Sequence, residues 1–288
     1  MGTGVHDPLA PILRDRGVVI LDGGLATELE ARGLDLNHPL WSARAILEAP
    51  EVVEAVHRDY VEAGADVVTS ATYQATIPLI APGIAIARRA APRVLAASLG
   101  SYGASLADGS EYRGGYGLSV DDLAAWHRPR LRAAEDAGPD LIAFETIPSG
   151  PEVEAIARVL GERDGLAAWI SVQARDDRSL ADGTPIEHAA AAADRVSRVV
   201  AIGVNCVAPE RVAPLLRRLG SATSKPLAAY PNRGDAWDPA RRAWTIREVA
   251  IDFGALAPLW RDAGARLIGG CCRTTPTDIR AIRRALAA

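Results

Sequence analysis

Eight short segments rich in apolar and β-branched residues recur along the chain, and their spacing is the feature that most constrains its fold. They lie about 35 residues apart on average, an interval that holds a strand, a crossover helix and two loops. The repeat therefore predicts a parallel sheet whose strands alternate with helices. The segments begin at Val18, Asp66, Val94, Asp140, Leu166, Val199, Pro226 and Arg266.

Helical patterns fill the intervals between these segments. Several begin at a proline or at an Asp or Ser cap, and several end near a glycine such as Gly64, Gly138 or Gly220. Eight such units in 288 residues, with near-continuous apolar strands, favour a closed (β/α)8 barrel formed as one domain by residues 1–288. An open, doubly wound sheet is the alternative fold.

The interval after the second strand is irregular. Between Tyr73 and the third strand the chain has fewer than twenty-five residues, and Pro78, Pro82 and Gly83 interrupt any long helical pattern there. The sequence therefore predicts a barrel with a shortened second crossover, whose helix is short or absent.

Composition and charge exclude several classes of protein. Hydrophobic residues make up 49% of the chain, which is enough for a large core and argues against disorder. The formal net charge of −4 offers no positive field for a nucleic acid, and no apolar run approaches the length of a membrane span. A secretion signal would have a basic and then an apolar stretch at the position of Asp7 and Pro8. Three cysteines are too few, and an odd number, for the disulfide framework of a secreted protein. A cytoplasmic location is expected, with no nucleic acid or membrane as partner.

The predicted strand ends carry the residues that are able to do chemistry. The loops at the C-terminal ends of the strands build the active site of a (β/α)8 barrel, so these residues should meet. They are Asp22, Gly23 and Gly24 after strand one, Thr72, Tyr73 and Gln74 after strand two, Glu145 and Thr146 after strand four, Asn205 and Cys206 after strand six, Tyr230, Pro231 and Asn232 after strand seven, and Cys271 and Cys272 after strand eight.

All three cysteines lie at such ends, on strands six and eight. Thiolates from Cys206, Cys271 and Cys272 can converge on one Zn²⁺ and leave its fourth position open for water or substrate. Neighbouring residues of an extended strand face opposite ways, so Gly270 or a bulge would have to distort strand eight. The alternative is that each cysteine packs as a small apolar side chain.

Four other side chains have both a functional and a structural interpretation. Asp22 is either a ligand-binding acid or only the N-cap of the following helix. Glu145 follows the buried run LIAF and needs a cationic partner, either a ligand ammonium or an arginine. Trp41 and Tyr73 are either packing residues or aromatic faces for a cationic substrate. The five histidines fall away from the strand ends, and we expect them to be structural or exposed.

Seven segments together resemble the homocysteine S-methyltransferase family over nearly the whole chain. They are LDGGLATELE, SATYQA, SLGSYGA, FETIPS, GVNC, YPNRG and GGCCRTTP. The resemblance implies a (β/α)8 barrel whose three cysteines hold zinc. It also implies that Asp22, Gly23 and Glu145 receive the amino acid part of homocysteine, and we group Thr146 and Asn205 at the neighbouring strand ends with them.

Within that family the length and the LW and TYQ segments are most similar to the branch that uses S-methylmethionine or S-adenosylmethionine. Trp41 and Tyr73 are then the expected contacts of the sulfonium donor. No cobalamin-ligand motif DxHxxG is present. The segment after Gln74 departs from the family pattern, which usually has a glycine-containing loop and a full helix there.

The chemistry fits these residues. A free thiol is mostly protonated at neutral pH, and zinc deprotonates a thiol that coordinates it, so no general base is assigned. The expected reaction transfers a methyl group from a sulfonium to homocysteine and yields methionine. Two alternatives stay open, a non-catalytic zinc-binding or thiol-sensing barrel and a methyltransferase acting on selenocysteine or another small thiol. In an oxidised preparation two of the cysteines would form a disulfide, and the sequence leaves both a monomer and a dimer possible.

Overall fold

Eight parallel strands form one sheet in the computed structural model, which describes residues 5–36, 38, 40–234, 236–238, 243–245 and 250–287. The strands of this sheet are short and almost entirely buried, as near-continuous apolar runs require. They are β1 (Val19–Ile20), β2 (Val67–Thr69), β3 (Val94–Gly100), β4 (Leu141–Ile147), β5 (Ala168–Val172), β6 (Val199–Asn205), β7 (Leu227–Tyr230) and β10 (Ala265–Ile268). Between β7 and β10 the strands β8 (Ala236–Asp238) and β9 (Ala243–Thr245) form a separate antiparallel pair.

The sheet closes on itself. Its strand order is β1-β10-β7-β6-β5-β4-β3-β2, with every neighbouring pair parallel. Leu21, just after β1, forms a parallel bridge with Val67 of β2 and joins the two ends of the sheet. The predicted (β/α)8 barrel is therefore confirmed, and the open sheet is not formed.

Helices cover the outside of the barrel. Their ends follow ordinary capping rules, as at Ser119, whose side chain and that of Asp122 form a reciprocal capping box. The helices are α1 (Ala10–Arg16), α2 (Leu25–Ala31), α3 (Ala45–Glu48), α4 (Pro50–Glu62), α5 (Ile77–Arg89), α6 (Tyr102–Leu106), α7 (Val120–Asp136), α8 (Gly150–Gly161), α9 (Ile186–Asp194), α10 (Pro209–Ala222), α11 (Phe253–Asp262) and α12 (Pro276–Ala287). Within the described part of the chain, none of them has the length and apolar character to cross a membrane.

Helix α5 corrects the prediction for the second crossover. The helix there is neither short nor absent, since it has 13 residues, as many as α4. Pro78 lies in its first turn, where no backbone donor is needed, and Pro82 lies inside it. An interior proline costs about 3 kcal/mol, but burying Leu79, Ile80 and Ile84 returns roughly 1.5–3 kcal/mol for each side chain. Tertiary packing therefore outweighs the local signal.

One end of the barrel is closed by α1. Its residue Ile12 and its N-cap Leu9 belong to the same apolar cluster as Val19, Trp169 and Leu267 of the strands. A second, larger apolar cluster lies between the strands and the surrounding helices. Because α1 precedes β1, it covers the end where the strands begin, and the end where they finish is left for a site.

Candidate active site

A cavity opens at the C-terminal ends of the strands. We name two groups of its lining residues: the thiol wall, formed by Asp22, Glu145, Cys206, Cys271 and Cys272, and the loop wall, formed by Trp41, Tyr73, Gln74, Glu111 and Tyr112. Gly23, Thr146 and Asn205 also line it, so every site residue expected from the sequence faces one cavity.

The three cysteines come together on the thiol wall. Cys206 directly follows β6, and Cys271 and Cys272 follow the two glycines after β10. Their three Sγ atoms all lie within 4.8 Å of one another. The Sγ atoms of Cys206 and Cys272 are 3.8 Å apart, and Cys206 and Cys271 are joined as a disulfide with their Cα atoms 5.7 Å apart.

The backbone places Cys271 and Cys272 beyond the end of the last strand of the sheet. The expected distortion of strand eight is not needed, because β10 ends at Ile268, before the cysteines. The amide of Gly270 donates to the Asp22 carbonyl (3.0 Å), and the amide of Cys271 donates to the Pro231 carbonyl (2.8 Å). A side chain on Gly24 would meet the carbonyl oxygen of Cys271 at 2.7 Å. The glycine turn after β1 and the cysteine loop are therefore packed directly against each other.

This donor set fits a soft metal ion. Two thiolates bound to one tetrahedral zinc at about 2.3 Å each stand about 3.8 Å apart, which is the separation of the Cys206 and Cys272 sulfurs. The metal-competent cluster contains these three cysteines and no fourth protein ligand among the residues that the structure describes. Burial raises the pKa of the Cys272 thiol to about 12, so a cation is needed before this side chain ionises at neutral pH.

Asp22 reaches across from β1 to β2. Its carboxylate accepts the backbone amide of Thr69 (2.7 Å) and the Thr69 hydroxyl (3.0 Å). Gly24, not Asp22, is the N-cap of α2, and no side chain caps that helix, so the N-cap interpretation of Asp22 is wrong. Burial, aided by the negative charge of Glu145, raises the pKa of Asp22 to about 8 in spite of the Thr69 bonds.

Glu145 has polar partners but no ion pair among the described residues. Its carboxylate accepts hydrogen bonds from the Ser98 and Tyr230 hydroxyls. The structural salt bridge to an arginine, weighed from the sequence, is therefore not formed. Burial raises the pKa of Glu145, against the effect of these two bonds. Two neighbouring buried acids with raised pKa values form a site that a cation would stabilise.

Thr146 and Asn205 fix one another beside the cysteines. Thr146 has a left-handed backbone (φ +56°), and its amide donates to Asn205 Oδ1 (2.8 Å). The Asn205 amide group donates back to Thr146 Oγ1 (2.7 Å) and points its nitrogen toward Cys271 Sγ at 3.8 Å. This pair therefore links the ends of β4 and β6, which lie on either side of β5, at the thiol wall.

Trp41 and Tyr73 meet edge to face on the loop wall. Their ring centroids are 6.4 Å apart at an interplanar angle of 73°. Trp41 adopts a left-handed backbone (φ +45°), a conformation that is costly for a bulky residue and is concentrated at functional sites. Both rings keep part of their surface toward the cavity.

Sequence reasoning missed Glu111 and Tyr112 of the loop wall. Both belong to the 3-10 helix Ser110–Tyr112, well beyond the end of β3. The sequence feature that could have pointed to them is the turn-rich string ADGSEYRGG. It predicts a long loop, but it does not indicate which side chain of that loop faces the cavity. The histidines agree with expectation, since none of those described lines the cavity and His127 pairs with Glu152 in the interior.

A (β/α)8 barrel with acids and a thiol cluster at the C-terminal mouth has the architecture of an enzyme, because this face carries catalysis in the fold. Residues 19–286 match the family described as Homocysteine S-methyltransferase. The chain is 41% identical to Homocysteine S-methyltransferase YbgG of Bacillus subtilis, with 96% of each chain covered. It is 42% identical to the Selenocysteine Se-methyltransferase of Brassica oleracea, covering 94% of this chain and 89% of that one.

The fold is similar to that of a solved relative, the Homocysteine Methyltransferase MmuM from Escherichia coli. Its metallated form gives a TM-score of 0.87 at 41% identity, with 96% of this chain and 99% of that chain covered. Its oxidized form gives a TM-score of 0.87 at 41% identity, with 97% of this chain and 99% of that chain covered. The protein therefore belongs to the homocysteine S-methyltransferase family.

Proposed function

We propose that this protein transfers a methyl group from a sulfonium donor, S-methylmethionine or S-adenosylmethionine, to the thiol of L-homocysteine, giving methionine. The bond between the donor sulfur and its methyl carbon breaks as the bond to the homocysteine sulfur forms, and the thiol proton leaves to solvent. The observation that carries the proposal is the convergence of three cysteine sulfurs with the acids Asp22 and Glu145 in one cavity.

Cys206, Cys271 and Cys272 would hold zinc. When bound by three thiolates, zinc supplies the Lewis acidity that ionises an incoming thiol at neutral pH. Asn205 and the Gly23–Gly24 turn hold the cysteine loop in place. They would therefore determine where the homocysteine thiol binds. The cytoplasm is the location we propose, since a site of three reduced thiols depends on a reducing compartment.

Asp22 and Glu145 would receive the ammonium group of homocysteine. Both carboxylates lie on the thiol wall, and the raised pKa of each falls when a cation binds between them. Gly23 lets the turn beside Asp22 pack directly on the fold, because a side chain there would meet the Tyr60 ring at 2.8 Å. Thr146 and Asn205 complete this subsite by holding β4 and β6 together.

Trp41 and Tyr73 would orient the donor. A sulfonium carries its positive charge next to the methyl group that moves, and an aromatic face attracts such a cation. The positive charge disappears from the donor during transfer, so these rings act on binding more than on the chemical step. Holding two substrates in one cavity supplies much of the remaining rate enhancement.

Two further candidate functions have a specific observation behind them. Similarity to a selenocysteine Se-methyltransferase favours selenocysteine as an alternative acceptor on the same site. The pairing of Cys206 with Cys271 favours a thiol-sensing role in which the disulfide is the regulated state. A sensor would bind zinc, or form the disulfide, without turning over any methyl donor.

A donor and acceptor panel tests the proposal. Reduced, zinc-loaded protein is given homocysteine with S-methylmethionine, S-adenosylmethionine or betaine, and selenocysteine replaces homocysteine in a second series. We expect methionine from the two sulfonium donors and little from betaine. Turnover with betaine alone would overturn the donor assignment, and no turnover with any donor would favour the sensor.

A further inference from the structure

The loop wall contains two hydrogen-bond acceptors that the protein leaves unused. Glu111 is 9% exposed, and its Oε2 atom is buried without a partner among the described residues. Gln74 Oε1 is also buried without a hydrogen-bond partner among the described residues. Both residues line the cavity. Buried polar atoms are almost always paired, so two unpaired acceptors on one wall indicate that a donor group is missing from it.

The surrounding structure holds both acceptors in place. Gln74 Nε2 donates to the Ala104 carbonyl (2.8 Å), which sets the orientation of the amide and leaves Oε1 as the free acceptor. Helix α6 packs closely on the segment that bears Glu111, because a side chain on Gly103 would meet the Glu111 nitrogen at 2.6 Å. The unpaired oxygens are therefore features of a fixed wall.

A buried acid behind the wall anchors this segment at two points. Glu152 accepts the Tyr102 amide (2.5 Å) and the Tyr116 hydroxyl (3.1 Å), and it also bonds to His127 (2.9 Å). Both oxygens of the Glu152 carboxylate are therefore paired within the fold. Glu111 differs, because its Oε2 has no partner among the described residues.

The charges of the cavity point to a cationic ligand group. Its lining includes the acids Asp22, Glu111 and Glu145, and no Lys, Arg or His among the described residues. Arg113 is close to Glu111 in sequence, but its guanidinium bonds to Ser110 and Asp108. Burial raises the pKa of Glu111 to about 7, opposed by a hydrogen bond from its own backbone amide and by the charge of Arg113. The Arg113 guanidinium forms its ion pair with Asp108 and not with this carboxylate.

Resting on the proposed function, we infer that Glu111, with Gln74, binds the α-ammonium group of the methyl donor. The cavity then has one acidic subsite for each of two amino acid substrates, Asp22 and Glu145 on the thiol wall and Glu111 on the loop wall. Trp41 and Tyr73 belong to the same wall and would hold the sulfonium of that donor. The donor is accordingly a sulfonium that carries a free α-amino group, and onium compounds without N–H donors leave Glu111 unpaired.

The test compares two donors that differ only in the ammonium group. S-methylmethionine has it, and 4-(dimethylsulfonio)butanoate is the same molecule without it. Replacing Glu111 with Gln keeps the size and removes the charge. We expect Glu111→Gln to weaken S-methylmethionine binding about 10- to 100-fold, the range for a lost charged hydrogen bond. Binding of 4-(dimethylsulfonio)butanoate should change less than about twofold, because it never used that bond.

Binding is measured by titration calorimetry without homocysteine, and KM values for both substrates are measured in the methyl-transfer assay. Glu51→Gln, which removes an exposed acid on α4, is the matched control and should match the wild type. Glu111→Asp keeps the charge and should retain part of the affinity. Thermal unfolding of each variant checks that the barrel is intact.

Three results would overturn the inference. The first is equal loss of affinity for the two donors, which a structural role of Glu111 predicts. The second is unchanged S-methylmethionine binding in Glu111→Gln, and the third is a rise confined to the homocysteine KM. Failure of the proposed function is distinguishable, since wild-type protein would then methylate no acceptor while the calorimetric comparison still decides the role of Glu111.

Discussion

The two walls of the cavity are built differently. On the thiol wall the acids already have partners in the protein, Thr69 for Asp22 and Ser98 with Tyr230 for Glu145. On the loop wall Glu111 Oε2 has none among the described residues. The thiol wall thus has its geometry set before any substrate arrives, whereas the loop wall is completed by what binds to it. Side chains that are already held in place lower the entropic cost of positioning a substrate.

The largest effect is expected on the thiol wall, from Cys271→Ala. Removing one of three protein ligands should lower zinc content from about one per chain to near zero and reduce methyl transfer more than about 100-fold, beyond the loss typical of an outer-shell change. Metal analysis and the transfer assay measure both. The barrel should remain folded by circular dichroism, because the strands bury a core of their own.

Glu145→Gln distinguishes the substrate bound at the thiol wall from the substrate bound at the loop wall. The change removes a charge from the thiol wall, so the KM for homocysteine should rise about 30-fold, corresponding to ~2 kcal/mol for a desolvated charged hydrogen bond. Affinity for S-methylmethionine should stay within about threefold, the reverse of the pattern for Glu111→Gln. An unchanged homocysteine KM would instead assign Glu145 a purely structural role with Ser98 and Tyr230.

The close packing behind the thiol wall can be tested with two glycines. An alanine at Gly24 would press on the Cys271 carbonyl, and backbone cannot move aside as a flexible side chain can, so Gly24→Ala should lower the free energy of unfolding by about 1–3 kcal/mol. Gly161 at the end of α8 has open space around it. Gly161→Ala is the matched control and should leave stability unchanged or raise it by up to about 1 kcal/mol. Equal denaturation midpoints for the two variants would contradict tight packing at Gly24.

The smallest effect is the pH dependence of donor binding. The pKa of Glu111 is raised to about 7, so the free protein holds the protonated acid below that pH, and an ammonium group needs the carboxylate. Burial is the main cause of this raised pKa, while the nearby charge of Asp108 raises it further and that of Arg113 lowers it. The Kd for S-methylmethionine should therefore be about tenfold higher at pH 6 than at pH 8 in the wild type. Glu111→Gln should not show this change of Kd with pH. An identical pH profile of Kd in both proteins would exclude Glu111 as the titrating group.

The sequence predicts the thiol wall far better than the loop wall, for a physical reason. Residues at the C-terminal ends of parallel strands must meet at one end of a barrel, so Asp22, Glu145 and the cysteines could be placed without coordinates. Glu111 lies on a loop whose path depends on tertiary contacts such as those of Glu152. Helix α5 was mispredicted for a related reason, because Pro82 is a local signal and the burial that overrides it is not.

Zinc content and homocysteine methylation, measured on one reduced sample before and after chelation, decide whether the three cysteines form a catalytic zinc site. We expect about one zinc per chain, loss of S-methylmethionine-dependent methionine formation on chelation, and its return when zinc is restored. The Cys206→Ala, Cys271→Ala double variant should neither retain zinc nor recover activity. Full zinc content in that variant, or undiminished turnover by the chelated wild type, would contradict the account.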